Sequence, residues 1–137
     1  MAIDTVEALR KVSLFEGIGD RDLERLARLF RERSFAEGAT VTTEGEPGIG
    51  FFVITQGSAE VSVGGELRGS LGPGESFGET ALIDEGPRSA TVVAATDLRC
   101  LALSAWDFRP FVEEHPPVAW ALLRTLVERL RKAQAGQ

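Results

Sequence analysis

The chain has 137 residues, 43% of them hydrophobic, and a formal net charge of −6; this length and apolar content are typical of one globular domain. Its basic residues are interspersed with acidic ones, which argues against direct binding of nucleic acid, and the single cysteine, Cys100, excludes an internal disulfide. No apolar run is long enough to span a bilayer, and the start lacks the basic and apolar regions of a signal peptide, so we expect a cytoplasmic protein.

Residues 1–34 are predicted to form helices. Residues 5–12 fit a short amphipathic helix, and Gly19 or Asp20 can cap a second one. The apolar positions of this second helix are Leu23, Leu26, Leu29 and Phe30. Arginines on its other face are mixed with acidic residues, and we interpret that face as solvated rather than as a basic binding surface.

Residues 35–104 have a different composition from the predicted helices, with a glycine every few positions. The glycines separate strand-like runs at 40–43, 51–55, 59–63, 67–71, 90–95 and 98–103. Ala59, Val61 and Val63 alternate along one of these runs and share a face, and Gly64-Gly65 after it favours a tight hairpin turn. Many short strands with regular turns predict an antiparallel, jelly-roll-like β-roll.

The pattern after residue 104 is helical again. Residues 105–114 fit one helix, and Pro116-Pro117 ends it and opens a long amphipathic helix over 118–134. The predicted architecture is therefore mainly β within a single domain of residues 1–137, with helices at 1–34, a β-roll at 35–104 and helices at 105–137. We expect Trp106 and Trp120 to be core anchors and Cys100 to be a small apolar core residue.

The segment 74–97 does not fit a simple hairpin, because residues 79–83 read as one helical turn between two strand runs. Gly78 frees the backbone to enter that turn close to a ligand, and the first amides of a helical turn attract anions. Arg88 follows nine residues later and can bind the same anion through two hydrogen bonds. Glu79 would repel that anion unless it also accepts a hydrogen bond from a ligand hydroxyl. The residues thus predict a ligand with one compact negative charge and a nearby hydroxyl.

Two motifs carry a resemblance to a known family. Phe77-Gly78-Glu79-x-Ala81-Leu82 followed by Pro87-Arg88-Ser89-Ala90-Thr91 closely resembles the phosphate-binding cassette of cyclic-nucleotide-binding domains, the sensors of catabolite activators and protein kinase regulatory subunits. LFEGIGDRDLERLA is similar to the family's N-terminal helices, EGEPG and FFVITQGSAEV to its first hairpins, and the long C-terminal helix stands where the family has its lid. One position departs from the pattern, since Ile49 follows Gly48 where the family often has an acid.

The resemblance implies a role for each cassette residue. Glu79 would accept a hydrogen bond from the ribose 2′-OH, and Arg88 would pair with the cyclic phosphate. The backbone amides of Gly78 and of Ala81 or Leu82 would donate to phosphate or ribose, with Phe77 and Leu82 packing beside them. The Ser89 hydroxyl would serve the phosphate, or the amino group of a guanine base. In the lid, Arg131 and Gln134 are candidates for the base, and Arg129 for a contact back to Glu79.

Several alternatives stay open at this stage. Cyclic AMP is favoured over cyclic GMP because only Ser89 offers a reading of guanine. The acid and arginine of the cassette could form an internal salt bridge, and Ser89 could merely start a strand. A metal-dependent enzyme on a similar roll needs clustered histidines, and His115 is the only one, so we expect no enzyme, no metal and no cofactor. The domain could also have lost its ligand and serve interaction alone, or regulate a downstream protein or fused effector within a larger transcription factor, channel or enzyme.

Overall fold

A computed structural model describes residues 4–47, 50–84 and 86–136 of the chain; Gly48, Ile49 and Gln137 therefore lie outside the described residues. The helices are α1 (Thr5–Arg10), α2 (Asp20–Ala27), α3 (Thr80–Ile83), α4 (Ala105–Glu114) and α5 (Pro116–Ala135), with a 3₁₀ turn at Ser13–Phe15. The strands are β1 (Arg31–Phe35), β2 (Thr40–Thr42), β3 (Gly50–Gln56), β4 (Ala59–Val63), β5 (Glu66–Leu71), β6 (Ser76–Phe77), β7 (Thr91–Ala94) and β8 (Leu98–Ser104). No helix in these ranges is both long and apolar enough to cross a bilayer.

The strands form two four-stranded antiparallel sheets, which confirms the predicted roll. One sheet has the order β1-β8-β3-β6 and the other the order β2-β7-β4-β5. The hairpin between β4 and β5 turns at Gly64 and Gly65, whose φ angles of 61° and 83° are those that a tight two-residue hairpin turn requires. Alternation along the strands therefore predicted both the strand type and this turn.

The N-terminal boundary needs a correction, because β1 lies inside the segment that was predicted to be helical. Helix α2 ends at Ala27, and Leu29 and Phe30 pack against the core from the following turn. Strand β1 then pairs with β8 from Arg31 opposite Ala102 to Phe35 opposite Leu98. Its first four residues are exposed, so it has no apolar alternation to reveal it in the sequence. The pairing with β8 is what makes this segment a strand.

The core has two layers, separated by the sheet that contains β3. Phe51 and Val53 point to the layer between that sheet and the helices, and Phe52 and Ile54 point to the layer between the two sheets. Strand β3 is thus buried on both faces, which explains its continuous apolar run.

The prediction that both tryptophans anchor the core is wrong. Trp106 is 70% exposed and Trp120 is 61% exposed. Helix α4 buries Phe108 and Phe111, and helix α5 buries a row that includes Leu122. Since helical side chains repeat every three to four residues, the two indoles fall on the outer faces of their helices.

Cys100 lies on β8, fully buried between the sheets, as the sequence predicted. Burial raises the pKa of its thiol to about 11, and the positive charge of Arg33 acts weakly in the opposite direction. An unfolded thiol ionises near pH 8.5, so the unfolded state releases the proton first as the pH rises. We expect the unfolding free energy to fall by up to about 3 kcal/mol between about pH 8.5 and pH 11.

Urea unfolding of the parent and of Cys100→Ala over that pH range measures this effect. The variant is less stable overall because of the lost packing, but it should lack the extra downward slope. Because the chain contains no tyrosine, few other groups titrate in the same range. Parallel curves for the two proteins would contradict a buried, protonated thiol.

Candidate functional site

A cavity of about 350 Å³ lies between the cassette segment and the second sheet. One wall comes from residues that follow β5 and precede β7, and the other from inward-facing residues of β2, β4, β5 and β7. Its lining residues are Thr42, Val61, Leu71, Ser76, Phe77, Gly78, Glu79, Thr80, Ala81, Gly86, Pro87, Arg88, Ser89, Ala90 and Val92. The acid, the arginine and the serine of the cassette therefore face one space.

Gly78 makes the turn from β6 into α3 possible. Its φ is 85°, a left-handed backbone conformation that favours glycine. A Cβ atom at this position would lie 2.5 Å from Nη1 of Arg88 and 2.6 Å from the carbonyl oxygen of Gly50. The absence of a side chain thus lets the Arg88 guanidinium approach the turn.

Arg88 is held by backbone contacts rather than by an acid. Its Nη2 donates to the carbonyl of Gly50 at 2.6 Å. Its own amide donates to Glu46 O at 2.9 Å, and its carbonyl accepts from the amide of Gly45 at 2.9 Å. No carboxylate within the described ranges forms a salt bridge with it. Burial lowers the pKa of Arg88, yet an arginine stays charged at neutral pH. A half-buried cation without an acidic partner in a cavity is suited to an external anion.

Glu79 pairs with the C-terminal helix instead of with Arg88. Nη1 of Arg129 donates to Oε1 of Glu79 at 3.0 Å, and Nη2 of the same arginine donates to the hydroxyl of Ser13. The predicted reach of Arg129 back to Glu79 is confirmed, and the internal salt bridge between the two cassette residues is wrong. The other oxygen of Glu79 has no hydrogen-bond partner among the described residues, so it can accept from a ligand.

The hydrogen bonds of the backbone amides at the start of α3 differ in part from the prediction. Ala81 N donates to Gly78 O at 3.1 Å, and Leu82 N donates to Glu79 O at 3.2 Å. Within the described part of the chain, no acceptor faces the amides of Glu79 or Thr80. The amides of Ala81 and Leu82, one of which the resemblance assigned to the ligand, are therefore used within the turn, whereas no hydrogen bond occupies the amide of Gly78 among the described residues.

The comparison with known sequences decides the family. The model of the cyclic nucleotide-binding domain matches residues 32–115. The chain belongs to the cyclic nucleotide-binding domain family. It contains the fold and the cassette of a cyclic nucleotide-binding regulatory domain, as the resemblance implied.

Individual relatives of this cyclic nucleotide-binding domain are longer proteins. It is 39% identical over 118 residues to a cyclic nucleotide-gated potassium channel of Mesorhizobium japonicum, covering 86% of this chain and 33% of the channel. It is 34% identical over 125 residues to the cyclic AMP receptor protein of Thermus thermophilus, covering 88% of this chain and 58% of that protein. The chain thus spans between a third and three fifths of these two relatives. A solved N-terminal domain of a transcriptional regulator from Streptomyces coelicolor superposes with a TM-score of 0.85 at 36% identity, covering 92% of this chain and 94% of that one.

The remaining predicted residues of this cyclic nucleotide-binding domain occupy different places. Phe77 lines the cavity and stacks on Phe52 with centroids 5.1 Å apart. The side chain of Leu82 instead packs in the core layer under the helices. Arg131 and Gln134 are exposed on the last turns of α5 and do not line the cavity.

The sheet wall of the cavity was not among the predicted site residues. Val61, Leu71 and Val92 form it, and Thr80 lines the opposite, cassette side of the cavity. Alternation along β4 predicts that Val61 shares a face with Ala59 and Val63, but no pattern in the sequence directs that face to a ligand. The pairing of β4 with β5 and β7 is what brings these side chains opposite the cassette.

Proposed function

We propose that this domain binds 3′,5′-cyclic AMP, in preference to cyclic GMP, and that α5 acts as its lid. The observation that carries the proposal is the half-buried Arg88, which has no acidic partner among the described residues, in the same cavity as Glu79, one oxygen of which accepts no hydrogen bond from those residues. A cyclic phosphate supplies a compact anion for the arginine, and a ribose hydroxyl donates a hydrogen bond to the carboxylate.

The preference for cyclic AMP rests on the lack, among the described cavity residues, of a side chain that is needed to recognise guanine. The sheet wall offers the apolar side chains of Val61, Leu71 and Val92, which hold either purine without reading its edge. Ser89 is exposed and lines the cavity, so its hydroxyl can serve the phosphate and need not read guanine. The relative from Thermus thermophilus is named a cyclic AMP receptor protein, which supports the same choice.

Calorimetric titration tests the ligand. We expect a dissociation constant of about 1 μM or tighter for cyclic AMP, and weaker binding of cyclic GMP. Cyclic AMP at roughly 100 times its dissociation constant should add about 2.7 kcal/mol to the unfolding free energy and raise the melting temperature by several degrees. Linear 5′-AMP is the control, because its additional negative charge lies beside Glu79. Melting curves that stay unmoved with millimolar amounts of both cyclic nucleotides would remove the proposal.

The lid proposal is supported by the contact of Arg129 with Glu79 and Ser13. Beyond Thr125, the residues of α5 are exposed or only partly buried. The end of this helix is attached to the rest of the domain by the partly buried Leu126 and by the guanidinium of Arg129. A ligand at Glu79 shifts such an equilibrium only if it makes better contacts with the docked helix than with the undocked one.

Hydrogen exchange measures this proposed motion. We expect amides 124–134 to exchange more slowly with saturating cyclic AMP than without it, because the bound nucleotide adds contacts to the docked helix. Amides 118–122 are the internal control, since Val118, Ala121 and Leu122 are already buried in the core. Equal protection of 124–134 in both states, with binding demonstrated, would mean that the signal leaves by another route.

The role of this domain in a whole protein follows from the relatives that contain a similar domain. We infer that the domain regulates a downstream protein or a fused effector rather than catalysing a reaction, because its relatives named above are a gated channel and a receptor protein. A ligand-free interaction module is the second candidate, and the titration above separates it from a sensor.

A further inference from the structure

A second cleft, of about 670 Å³, opens at the edge of the sandwich. Strand β1 ends one sheet and strand β2 ends the other, so the described strands leave the space between these two edges open. The cleft is lined by side chains of both edge strands, by Phe52 from the middle of the first sheet and by Arg88 at the end nearest the nucleotide cavity.

Two arginines of β1 point into this space. Arg31 is paired with Ala102 and Arg33 with Cys100. Cys100 is buried between the sheets, and Ala102 packs against the same cluster. Directly opposed residues of antiparallel strands project from the same face. Arg31 and Arg33 therefore occupy positions on the inner face of the sandwich, where an edge strand usually carries apolar residues.

Neither guanidinium has an acidic partner among the described residues. The guanidinium of Arg33 lies 5.3 Å from the ring centroid of Phe35, and both arginines remain accessible at the mouth of the cleft. Because both guanidiniums are accessible and stand two residues apart on one face of β1, they can bind one external carboxylate together through charge-assisted hydrogen bonds.

The rest of the lining limits the kind of anion. Three arginines (Arg31, Arg33 and Arg88) face two carboxylates (Glu46 and Asp107), which leaves one net positive charge in a chain whose formal net charge is −6. On the inner face, beside the arginines, the lining is apolar, with Val41 and Phe52. A single negative charge on an apolar body matches this combination, whereas a dianion would meet repulsion from the two acids.

We propose that the cleft binds a small amphipathic monocarboxylate, with its carboxylate on Arg31 and Arg33 and its apolar body on Val41 and Phe52. This site is distinct from the nucleotide site, because the two arginines of β1 lie outside the cassette. Arg88 and Thr42 line both cavities. The proposal does not depend on which nucleotide, if any, the first cavity takes.

Octanoate is the probe, with octanol as the uncharged control, in a titration followed by backbone amide NMR shifts. We expect octanoate to shift amides of β1, β2 and Phe52 with a dissociation constant of about 1 mM or tighter, and octanol to bind at least tenfold more weakly. The double variant Arg31→Gln with Arg33→Gln should weaken octanoate at least tenfold. The matched variant Arg68→Gln, which removes an exposed arginine of β5, should stay within about twofold of the parent.

The same double variant separates this site from the nucleotide site. We expect the far-UV circular dichroism and the melting temperature of the double variant to match those of the parent, which shows that it is folded, and its affinity for cyclic AMP to stay within twofold of the parent. Three results would overturn the proposal: no shift of the cleft amides by octanoate, equal binding of octanol, or unchanged octanoate binding by the double variant. A tenfold loss of cyclic AMP affinity in that variant would also overturn it, because the arginines would then serve the first cavity.

Discussion

Arg88→Ala should lower the affinity for cyclic AMP by one to three orders of magnitude. The guanidinium is the cation that the cassette directs into the nucleotide cavity, and hydrogen bonds to a charged group contribute about 1.5–3 kcal/mol. The folded state should change little, because the side chain loses only its bond to the carbonyl of Gly50. That loss corresponds to about 1.5 kcal/mol of unfolding free energy, the lower end of the same range, because the bond is partly accessible to solvent. Arg88→Lys should restore only part of the affinity, since an ammonium group cannot make the planar, two-pronged contact.

Calorimetry on the parent and the two variants measures the loss, with the melting temperature of the ligand-free proteins recorded in parallel. Arg28→Ala is the matched control, because Arg28 is exposed after α2 and lies away from the cavity. A titration curve of Arg88→Ala that overlays the parent curve would place the phosphate elsewhere.

Gly78→Ala should reduce both the unfolding free energy and the nucleotide affinity. An alanine in a left-handed backbone conformation costs about 1–2 kcal/mol. The added methyl also meets the Arg88 guanidinium and the backbone oxygen of Gly50, and the latter moves only with its strand. We expect a further 1–3 kcal/mol, approximately, from this overpacking. Displacement of Arg88 should weaken cyclic AMP binding about tenfold or more.

Gly74→Ala provides a matched control four residues away. Its φ of 89° is close to that of Gly78, but a Cβ there has no neighbour within 4 Å. The control should therefore lose only the cost of the backbone conformation and should keep the parent affinity. Equal losses of stability and of affinity in the two variants would show that the close approach of Arg88 to position 78 is unimportant.

Local patterns predicted the elements whose side chains alternate or repeat. The residues of β4 and α4 have the predicted bounds, and the turn between β4 and β5 follows from two glycines. Strand β1 was not predicted because its exposed residues show no apolar alternation. Only its pairing with β8, more than sixty residues later in the chain, defines it as a strand. Strand β6 is two residues long and has too little sequence to form a pattern.

The candidate site likewise contains residues that a local pattern predicts and partners that only the tertiary structure reveals. Glu79 and Arg88 could be selected from one short segment, because a glycine, an acid and an arginine at that spacing are chemically unusual. The carbonyl of Gly50 that holds Arg88, and the hydroxyl of Ser13 that shares Arg129, come from parts of the chain far from the cassette. Such partners depend on how the layers pack, which spacing along the sequence does not encode.

The outward position of the two tryptophans has an optical consequence. Trp106 and Trp120 are the only tryptophans, the chain has no tyrosine, and both indoles stand in solvent on α4 and α5. The folded protein should therefore emit at the long wavelength of a hydrated indole, so emission is a poor probe of sheet unfolding and far-UV circular dichroism is needed for the strands. No indole lines the nucleotide cavity. A change in the quenching of Trp120 by a soluble collisional quencher when nucleotide is added would then originate in the surroundings of α5, and not in contact between the base and an indole.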